Sequence, residues 1–460
     1  MNLVTRRPPF ALTALLPSVT MVIGIAIPAA SSPAAARNSA LFVALALAAA
    51  SPLLAALVLS IVAPGHDAVV VGVAGMLVAI GAATVYGLSF APGTDGDFYA
   101  AIAMRHAMFA AIGFLALVVG AIAEKSLDRA RRYPFTVLTV AIFLTLTTVL
   151  VGATVNGARL WLDVGPVRFQ PSEIARVLIA LFVAVFLYER RHLLAAPWRV
   201  RSQDLPPAPY LLPLAAALLI AVGVLLFQND LGMAALVALS AVAAVVSVVR
   251  SSAAVAIAAT ALLVALAGSY VTVPRVRDRV VGWLDPWQDP VIRGYQFVQA
   301  EFSLAAGSLG GGEPWTAAGI VPEVHTDLIL IAIASRFGLP VAAAVLALAA
   351  TLVCRCMLAG LRTRDGFRAL TAVSLAALLA IQIVLIAGGS LRVLPLTGLT
   401  FPLVSYGGTS MIVTQFALGI IVGIGARAPG GGSTRGALEH EAKPRFVMAS
   451  PWTAEGRNPS

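Results

Sequence analysis

The chain has 460 residues, 60% of them hydrophobic and 11% charged, with a mean hydropathy of +0.93. An ordinary soluble domain carries about 25% charged residues, so a soluble globular enzyme is excluded, as is disorder over most of the length. The net charge of +10 fits basic loops that fix orientation and touch anionic headgroups; no basic run is interleaved with aromatics as a nucleic-acid site requires.

Apolar windows predict an all-α, polytopic integral membrane protein of about twelve spans, each of roughly 20 residues. In chain order they fall near 12–30, 38–63, 67–91, 100–123, 134–153, 172–188, 209–227, 231–249, 252–272, 327–354, 367–389 and 403–426. Basic residues alternate with the spans. Arg6 and Arg7 precede the first; Lys125, Arg129, Arg131 and Arg132 follow the fourth; Arg190, Arg191, Arg199 and Arg201 follow the sixth. Arg250 follows the eighth, Arg355, Arg362 and Arg364 the tenth, and Arg427 the twelfth. The positive-inside rule then puts both termini in the cytoplasm and a large loop, 273–326, outside between spans nine and ten. Arg37 and the arginines of the external segments are the exceptions.

The start also imitates a cleavable signal peptide, with basic Arg6-Arg7 and the small-residue run Pro33-Ala34-Ala35-Ala36. Its apolar stretch is longer than a typical signal core, which favours an uncleaved anchor. Residues 1–65 thus form two N-terminal spans, 66–428 a membrane core, and 429–460 a polar, glycine-containing cytoplasmic tail without apolar periodicity. Cys354 and Cys356, at i and i+2, point to different helix faces and read as packing residues.

Three external segments interrupt the run of Ala, Leu and Val, and polar groups near membrane depth usually mark function. The first, Asn156–Pro171, reads as a re-entrant or interfacial turn leading into Pro171-Ser172-Glu173, with Ser172 as a candidate N-cap. Its alternative reading is a cationic site, Arg159 and Arg168 with Arg176, for an anionic lipid headgroup; Arg suits diphosphate because its planar fork binds two oxygens. The second, Val273–Thr326, carries Asp285, Asp289 and Glu323, with Asp327 just beyond, all placed to act as a general base or to bind a divalent cation. Asp285-Pro286 and Asp289-Pro290 read equally as turn initiators. The third, Gly388–Phe401, runs on through Pro402 to Gly407-Gly408, suggesting a broken helix covered by protein or a wet cavity.

As an ordered set these motifs resemble the SEDS family (shape, elongation, division and sporulation), whose members include RodA and FtsW. The resemblance runs through Asn156-Gly157-Ala158-Arg159, Gln170-Pro171-Ser172-Glu173, Asp230-Leu231-Gly232, Asp285-Pro286 with Asp289-Pro290, and Gly294-Tyr295-Gln296. It continues in His325-Thr326-Asp327 and in Pro402 with Ser405-Tyr406-Gly407-Gly408, and so covers roughly residues 67–426. The two spans before residue 65 and Pro395-Leu396-Thr397-Gly398 are the more RodA-like features. The resemblance implies an inverting peptidoglycan glycosyltransferase of the bacterial plasma membrane that polymerises lipid II on the external face. It also implies Asp289 as the catalytic aspartate, a divalent cation (Mg or Mn), and a class B penicillin-binding protein, a transpeptidase, as partner. Arg159, Arg168, Arg176, Gln296, Glu323, His325, Asp327 and Ser405 are expected to contact substrate.

The chain departs from the family at Ser335-Arg336-Phe337-Gly338, where many members have Glu-Glu-Leu-Gly, and at Arg176, where Lys is usual. Two other functions draw on the same polar segments: a flippase or other transporter of lipid-linked precursors, using Arg105, His106 and Gln382, and a catalytically silent scaffold of a cell-wall synthase. Carboxylates concentrated in an external loop favour surface chemistry, since transport sites lie near the bilayer midplane.

Overall fold

The computed structural model describes residues 15–24, 39–91, 95–155, 158–165, 167–195, 198–200, 203–205, 208–249, 252–307, 309–312 and 321–427. Arg6-Arg7, the run Pro33–Ala36, Arg37, Asn156-Gly157, Arg250 and the tail from 429 lie outside them. The helices are α1 (Leu15–Gly24), α2 (Ser39–Val62), α3 (Ala68–Gly87), α4 (Gly96–Ala123), α5 (Leu127–Arg132) and α6 (Pro134–Val151). Then come α7 (Pro171–Glu189), α8 (Arg191–Ala195), α9 (Ala208–Phe227), α10 (Leu231–Val248), α11 (Ser252–Thr272) and α12 (Pro274–Leu284). The last are α13 (Tyr295–Gly307), α14 (Ile329–Phe337), α15 (Leu339–Arg362), α16 (Gly366–Ser390) and α17 (Gly408–Ala426). Among the described residues eleven helices are long and apolar enough to cross a membrane, in register with the second to twelfth predicted spans; of the first, the ten residues of α1 are described.

Helix starts are set by two local devices. Asp67, Asp95, Asp230 and Asp365 cap α3, α4, α10 and α16, each carboxylate accepting a first-turn backbone N–H. Pro occupies the first turn of α6, α7, α12 and α15, where its missing N–H costs nothing. Ser172 is not an N-cap: Gln170 holds that position and Ser172 is already helical.

Four segments depart from the sequence expectation. The 153–169 stretch is a three-stranded antiparallel sheet, β1 (Ala153–Val155), β2 (Ala158–Val164) and β3 (Val167–Phe169), rather than a re-entrant turn. Asp163 opposes Arg168 across β2 and β3, so Arg168, a candidate for the cationic site, is held in a cross-strand pair. A second ribbon, β4 (Trp198–Val200) with β5 (Gln203–Leu205), joins α8 to α9. The expected tenth span, 327–354, is two helices. The nine-residue α14 ends at Gly338, whose φ of 89° favours glycine, and α15 then makes the crossing. The expected twelfth span starts late, at Gly408, and residues 391–407 are irregular.

The core is built from α3, α4, α7, α16 and α17 around Tyr86, Phe114, Phe182, Phe186, Phe367 and Phe401, all fully buried. Among the described residues of the Val255–Thr272 window of α11 none is buried, so that helix stands at the periphery.

Polar contacts gather in two layers at opposite ends of the helices. One layer centres on Glu124, 1% exposed, paired with Arg368 at 2.6 Å and Arg427 at 2.9 Å. Arg368 also reaches Asp128 at 2.9 Å and Asp365 at 2.5 Å, tying the C-terminal end of α4 to the start of α16. The other layer holds the sheet, α12, α13 and the 391–407 segment.

Removing one partner of a buried ion pair leaves an uncompensated charge and costs about 3–5 kcal/mol. Arg368→Ala is therefore expected to destabilise the detergent-solubilised protein by about 3 kcal/mol, the low end because Arg427 remains on Glu124. Replacing both Glu124 and Arg368 by apolar residues should restore much of the loss. An unchanged thermal unfolding midpoint in Arg368→Ala would dismiss the layer as a structural tie.

Candidate active site

A buried ion pair lies inside the bundle. Arg176, 2% exposed, lies one helical turn after Glu173 on α7, and the two charges are 2.7 Å apart. Arg176 also donates to the Gln382 side chain on α16 and, at 2.9 Å, to Thr414 Oγ1 on α17. Gln382 Nε2 donates to the Thr400 carbonyl at 2.9 Å, Thr400 Oγ1 donates to Ser410 Oγ at 3.0 Å, and Ser410 in turn hydrogen-bonds Glu173. Charge at this depth is tolerable only when paired and hydrogen-bonded.

Just outside this knot, Asp230 accepts from Met233 N at 3.2 Å, Ser172 Oγ at 3.3 Å and Gln170 Nε2 at 3.4 Å. Burial pushes its pKa up to about 6; the Met233 N–H opposes that shift and the Glu173 charge adds to it. Gln170 N also donates to Thr409 Oγ1 at 3.1 Å, which joins the start of α7 to α17.

Arg279, on α12, belongs to the same face. Its Nη1 donates to the Thr397 carbonyl at 3.0 Å, and it feels the charges of Asp327 and Asp230. Arg279 and Asp327 flank Gly398: a Cβ built there would lie 3.4 Å from Arg279 Nη2 and 3.7 Å from Asp327 Oδ2. Burial lifts the Asp327 pKa to about 7, Glu323 adding to the shift while Arg279 and the Thr326 hydroxyl oppose it. A carboxyl half-protonated near neutrality beside a guanidinium can exchange a proton or an ion pair with a ligand.

His325 completes the group. Tyr99, Tyr406 and Phe98 surround its ring at centroid distances of 5.7, 5.8 and 6.2 Å. Its Nδ1 is buried without a hydrogen-bond partner among the described residues, and burial lowers its pKa against the pull of Glu323. Ser405 Oγ donates to the Thr326 carbonyl at 2.5 Å and accepts from Phe401 N at 2.9 Å, fastening the His325-Thr326-Asp327 turn to the segment before α17. Glu323 Oε2 accepts from Thr326 Oγ1 at 3.2 Å and is otherwise exposed.

Asp289 lies in the turn between α12 and α13. Its Oδ1 accepts from Ile292 N at 3.2 Å and its carbonyl from Gly294 N at 2.8 Å. Gly294 is required there: a Cβ would meet the Pro286 carbonyl oxygen at 2.0 Å. Asp289 is half-buried and Asp285, the C-cap of α12, is exposed. Gln296 is half-buried in the first turn of α13.

The structure brings Glu323, His325, Asp327 and Ser405 together, and it separates the three arginines of the expected cationic site. Arg159 turns back on its own ribbon, donating to Thr154 Oγ1 at 3.1 Å and the Val149 carbonyl at 3.4 Å. Arg168 is exposed and pairs with Asp163 at 3.3 Å. Arg176 faces the bundle interior and is neutralised by Glu173. Two arginines that motif reading passed over matter more here: Arg279, and Arg392, whose guanidinium holds Glu301 at 2.5 Å and the Trp283 and Leu284 carbonyls at 3.2 and 3.3 Å. The available signal was their place on the external side, against the positive-inside trend.

With this geometry in place, comparison with known proteins is informative. The profile of the FtsW/RodA/SpoVE cell cycle protein family matches residues 67–428. The peptidoglycan glycosyltransferase RodA of Mycobacterium tuberculosis is 32% identical over 378 residues, covering 80% of each chain. The probable peptidoglycan glycosyltransferase FtsW of Aromatoleum aromaticum is 31% identical over 75% of this chain and 84% of its own. A chain from a peptidoglycan synthase complex that coordinates polymerisation and crosslinking superposes with a TM-score of 0.63 at 27% identity, covering 80% of this chain and 99% of its own. Thermus thermophilus RodA shares the fold, with a TM-score of 0.55 at 24% identity over 80% of this chain and 98% of its own.

The raised Asp327 pKa gives a stability test. The folded state holds this proton more tightly than the unfolded chain, whose value is 3.8, so the stabilisation is full below about pH 4 and is lost as pH rises through 7. The unfolding midpoint of the wild type relative to Asp327→Asn should therefore fall by several degrees between pH 5 and pH 8. Parallel profiles for the two proteins would refute the shifted carboxyl.

Proposed function

The chain belongs to the FtsW/RodA/SpoVE family, and we infer that it is a peptidoglycan glycosyltransferase that polymerises lipid II into glycan strands during cell-wall synthesis. The observation that carries this reading is the group of Arg279, Asp327 and His325 at one end of the bundle, with Arg279 on the helix α12 that leads into the turn bearing Asp289. Placing that end outside the plasma membrane, with both termini cytoplasmic, satisfies the positive-inside rule.

Lipid II presents a sugar C1 whose leaving group is a polyprenyl diphosphate, and the acceptor is the 4-hydroxyl of another sugar. An α-linked donor giving a β-linked glycan requires inversion, so one base on the acceptor side suffices. Asp289 takes the hydroxyl proton as O4 bonds to C1 and the C1–O bond to diphosphate breaks, its electron pair leaving on the diphosphate. General-base assistance of this kind is worth roughly 10²–10⁴ in rate. Arg279, with Arg275 close enough to act on its charge, is assigned to the departing diphosphate. Arg159 and Arg168 are left to the ribbon.

The family resemblance also implies a divalent cation. Among the described residues no three His, Cys, Asp or Glu side chains converge as a dedicated site, and Asp327 and Glu323 share their surroundings with a guanidinium. No step is therefore routed through an ion. The likeness to a chain of a synthase complex supports a class B penicillin-binding protein, a transpeptidase, as partner.

Two experiments test the reading. Purified wild-type protein given labelled lipid II, with and without the transpeptidase, is expected to make glycan polymer; Asp289→Asn should express normally and lose at least about a hundredfold, and Asp285→Asn should lose far less. Full polymer synthesis by Asp289→Asn would remove it as the base and point to Asp327 or Glu323. For orientation, Gly310→Cys is suitable because a side chain there meets nothing within 4 Å. In a background with exposed Cys354 replaced, it should react with membrane-impermeant maleimide from outside intact cells; labelling only after lysis would invert the topology.

A further inference from the structure

The end of the molecule that carries the Glu124 layer also carries a surplus of positive charge. Two connections meet there: α5 and its flanks, with Lys125, Arg129, Arg131 and Arg132, and the α7–α8 junction, with Arg190 and Arg191. Arg131 ties them together by pairing with Glu189 at 2.6 Å. Phe135, at the start of α6, packs on Phe182 of α7, and Phe182 on Phe186, each at a centroid distance of 5.9 Å.

The carboxylates of this region are already engaged. Glu189 holds Arg131, and Glu124, Asp128 and Asp365 surround Arg368. Lys125, Arg129, Arg132, Arg190 and Arg191 form no ion pair among the described residues. Several of these arginines are nevertheless held in place. The Tyr188 ring carries two guanidiniums, Arg131 Cζ at 4.7 Å and Arg191 Cζ at 4.0 Å from its centroid. Arg191 Nη1 also donates to the Tyr188 carbonyl at 3.0 Å, and Arg190 Cζ lies 3.8 Å from the Phe186 centroid. Stacking fixes the guanidinium plane and leaves its N–H edge open to phosphate oxygens. Cations ordered beforehand lose less freedom on binding.

Their level in the bilayer follows from span length. Arg132 lies two residues before α6 and Arg190 directly follows α7, spans of 18 and 19 residues. Helices of that size are about 27–29 Å long, close to the roughly 30 Å hydrocarbon core, so these charges fall among the headgroups. Tyr133 and Phe135, both more than half exposed, stand beside them as interfacial aromatics do, and Phe143, Leu146 and Leu150 continue the exposed face of α6 along the bilayer. A soluble anion would have to displace lipid already lying on that face. An anionic phospholipid brings phosphate oxygens to the arginine forks with its acyl chains on α6.

We propose that the α5–α6 and α7–α8 junctions form a binding site for an anionic phospholipid of the adjacent leaflet, the cytoplasmic one in the orientation given above. The site lies at the opposite end from Arg279 and Asp327, and its assignment does not depend on the glycosyltransferase reading.

The test titrates the full chain, in detergent and ammonium acetate at about 0.15 M ionic strength, with phosphatidylglycerol or phosphatidylcholine and reads bound lipid by native mass spectrometry. Wild type should bind phosphatidylglycerol saturably and at least about tenfold more tightly than phosphatidylcholine. Arg129→Gln with Arg132→Gln, and Arg190→Gln with Arg191→Gln, should each cut that preference at least about fivefold. Tyr188→Leu, which unseats two guanidiniums without changing the net charge, should cut it as well. Arg159→Gln with Arg168→Gln removes the same charge from the opposite end, well beyond the screening length, and should leave the preference within about twofold of wild type. Monodispersity on size exclusion identifies variants that fold, and the two arginine pairs decide the matter should Tyr188→Leu not fold. Excess inorganic phosphate or a glutamate-rich peptide should fail to displace the lipid. Equal binding of the two lipids, or losses in the opposite-end variant as large as in the site variants, would overturn the site. Displacement by either soluble anion would also overturn it and give the patch to phosphate or to an acidic peptide.

Discussion

The buried Glu173–Arg176 pair is the constraint on which the rest of the molecule turns. Hydrocarbon offers no hydrogen bonds, so every charge and every freed backbone group at membrane depth must find its partner within the protein. Arg176 meets that demand by drawing on α7, α16 and α17 at once, through Glu173, Gln382 and Thr414. Gln382 then passes its other hydrogen bond to the Thr400 carbonyl, in a segment that has left helical geometry. The irregular 391–407 stretch is held by such donors from outside it: Gln382 on the Thr400 carbonyl, Arg279 on Thr397 and Trp283 on Arg392.

That irregular stretch in turn positions the face where chemistry is assigned. The Thr397 carbonyl anchors Arg279, Gly398 sits between Arg279 and Asp327, and Ser405 fixes the His325-Thr326-Asp327 turn. Arg392, at the start of the same stretch, holds the ends of α12 and the middle of α13 through Leu284 and Glu301. One broken connection thus carries the cation, the titrating carboxyl and the walls of the loop that bears Asp289. The Glu124–Arg368 layer lies at the opposite end and serves to hold the helices in register.

The spans were legible because hydrophobic length is a local property, read within one window. Breaks inside apolar runs were less so: α14 and α15 are equally apolar, and the join is marked only by Gly338 and by Pro340 in the first turn of α15. The β2–β3 ribbon was missed because its signal is a pairing, Asp163 against Arg168, and not a run. The site residues fall on the same divide. His325, Asp327 and Ser405 were found through short motifs, whereas the partners of Arg176 lie 206 and 238 residues away, beyond any spacing rule. Arg279 and Arg392 sit in no motif the sequence offered, and their importance appears only when Thr397 and Glu301 are folded against them.

The departure at Ser335-Arg336 is best understood at the same level. Gly307 approaches the backbone of Ser335 so closely that a Cβ on Gly307 would lie 2.4 Å from Ser335 Cα, and Gly312 N donates to the Ser335 carbonyl at 2.8 Å. A long carboxylate at 335, a position buried in this contact, would need a buried partner of its own. At 336 the arginine donates to the Gly312 carbonyl at 3.3 Å and places positive charge in the last turn of α14, where the helix dipole favours it. The substitutions therefore alter how the 309–312 turn is latched onto α14. Asp327 and Arg279 make their contacts through Gly398, Thr397 and Thr326, none of which this latch touches. Loss of two family carboxylates changes the local scaffold and leaves the proposed chemistry's own residues in place.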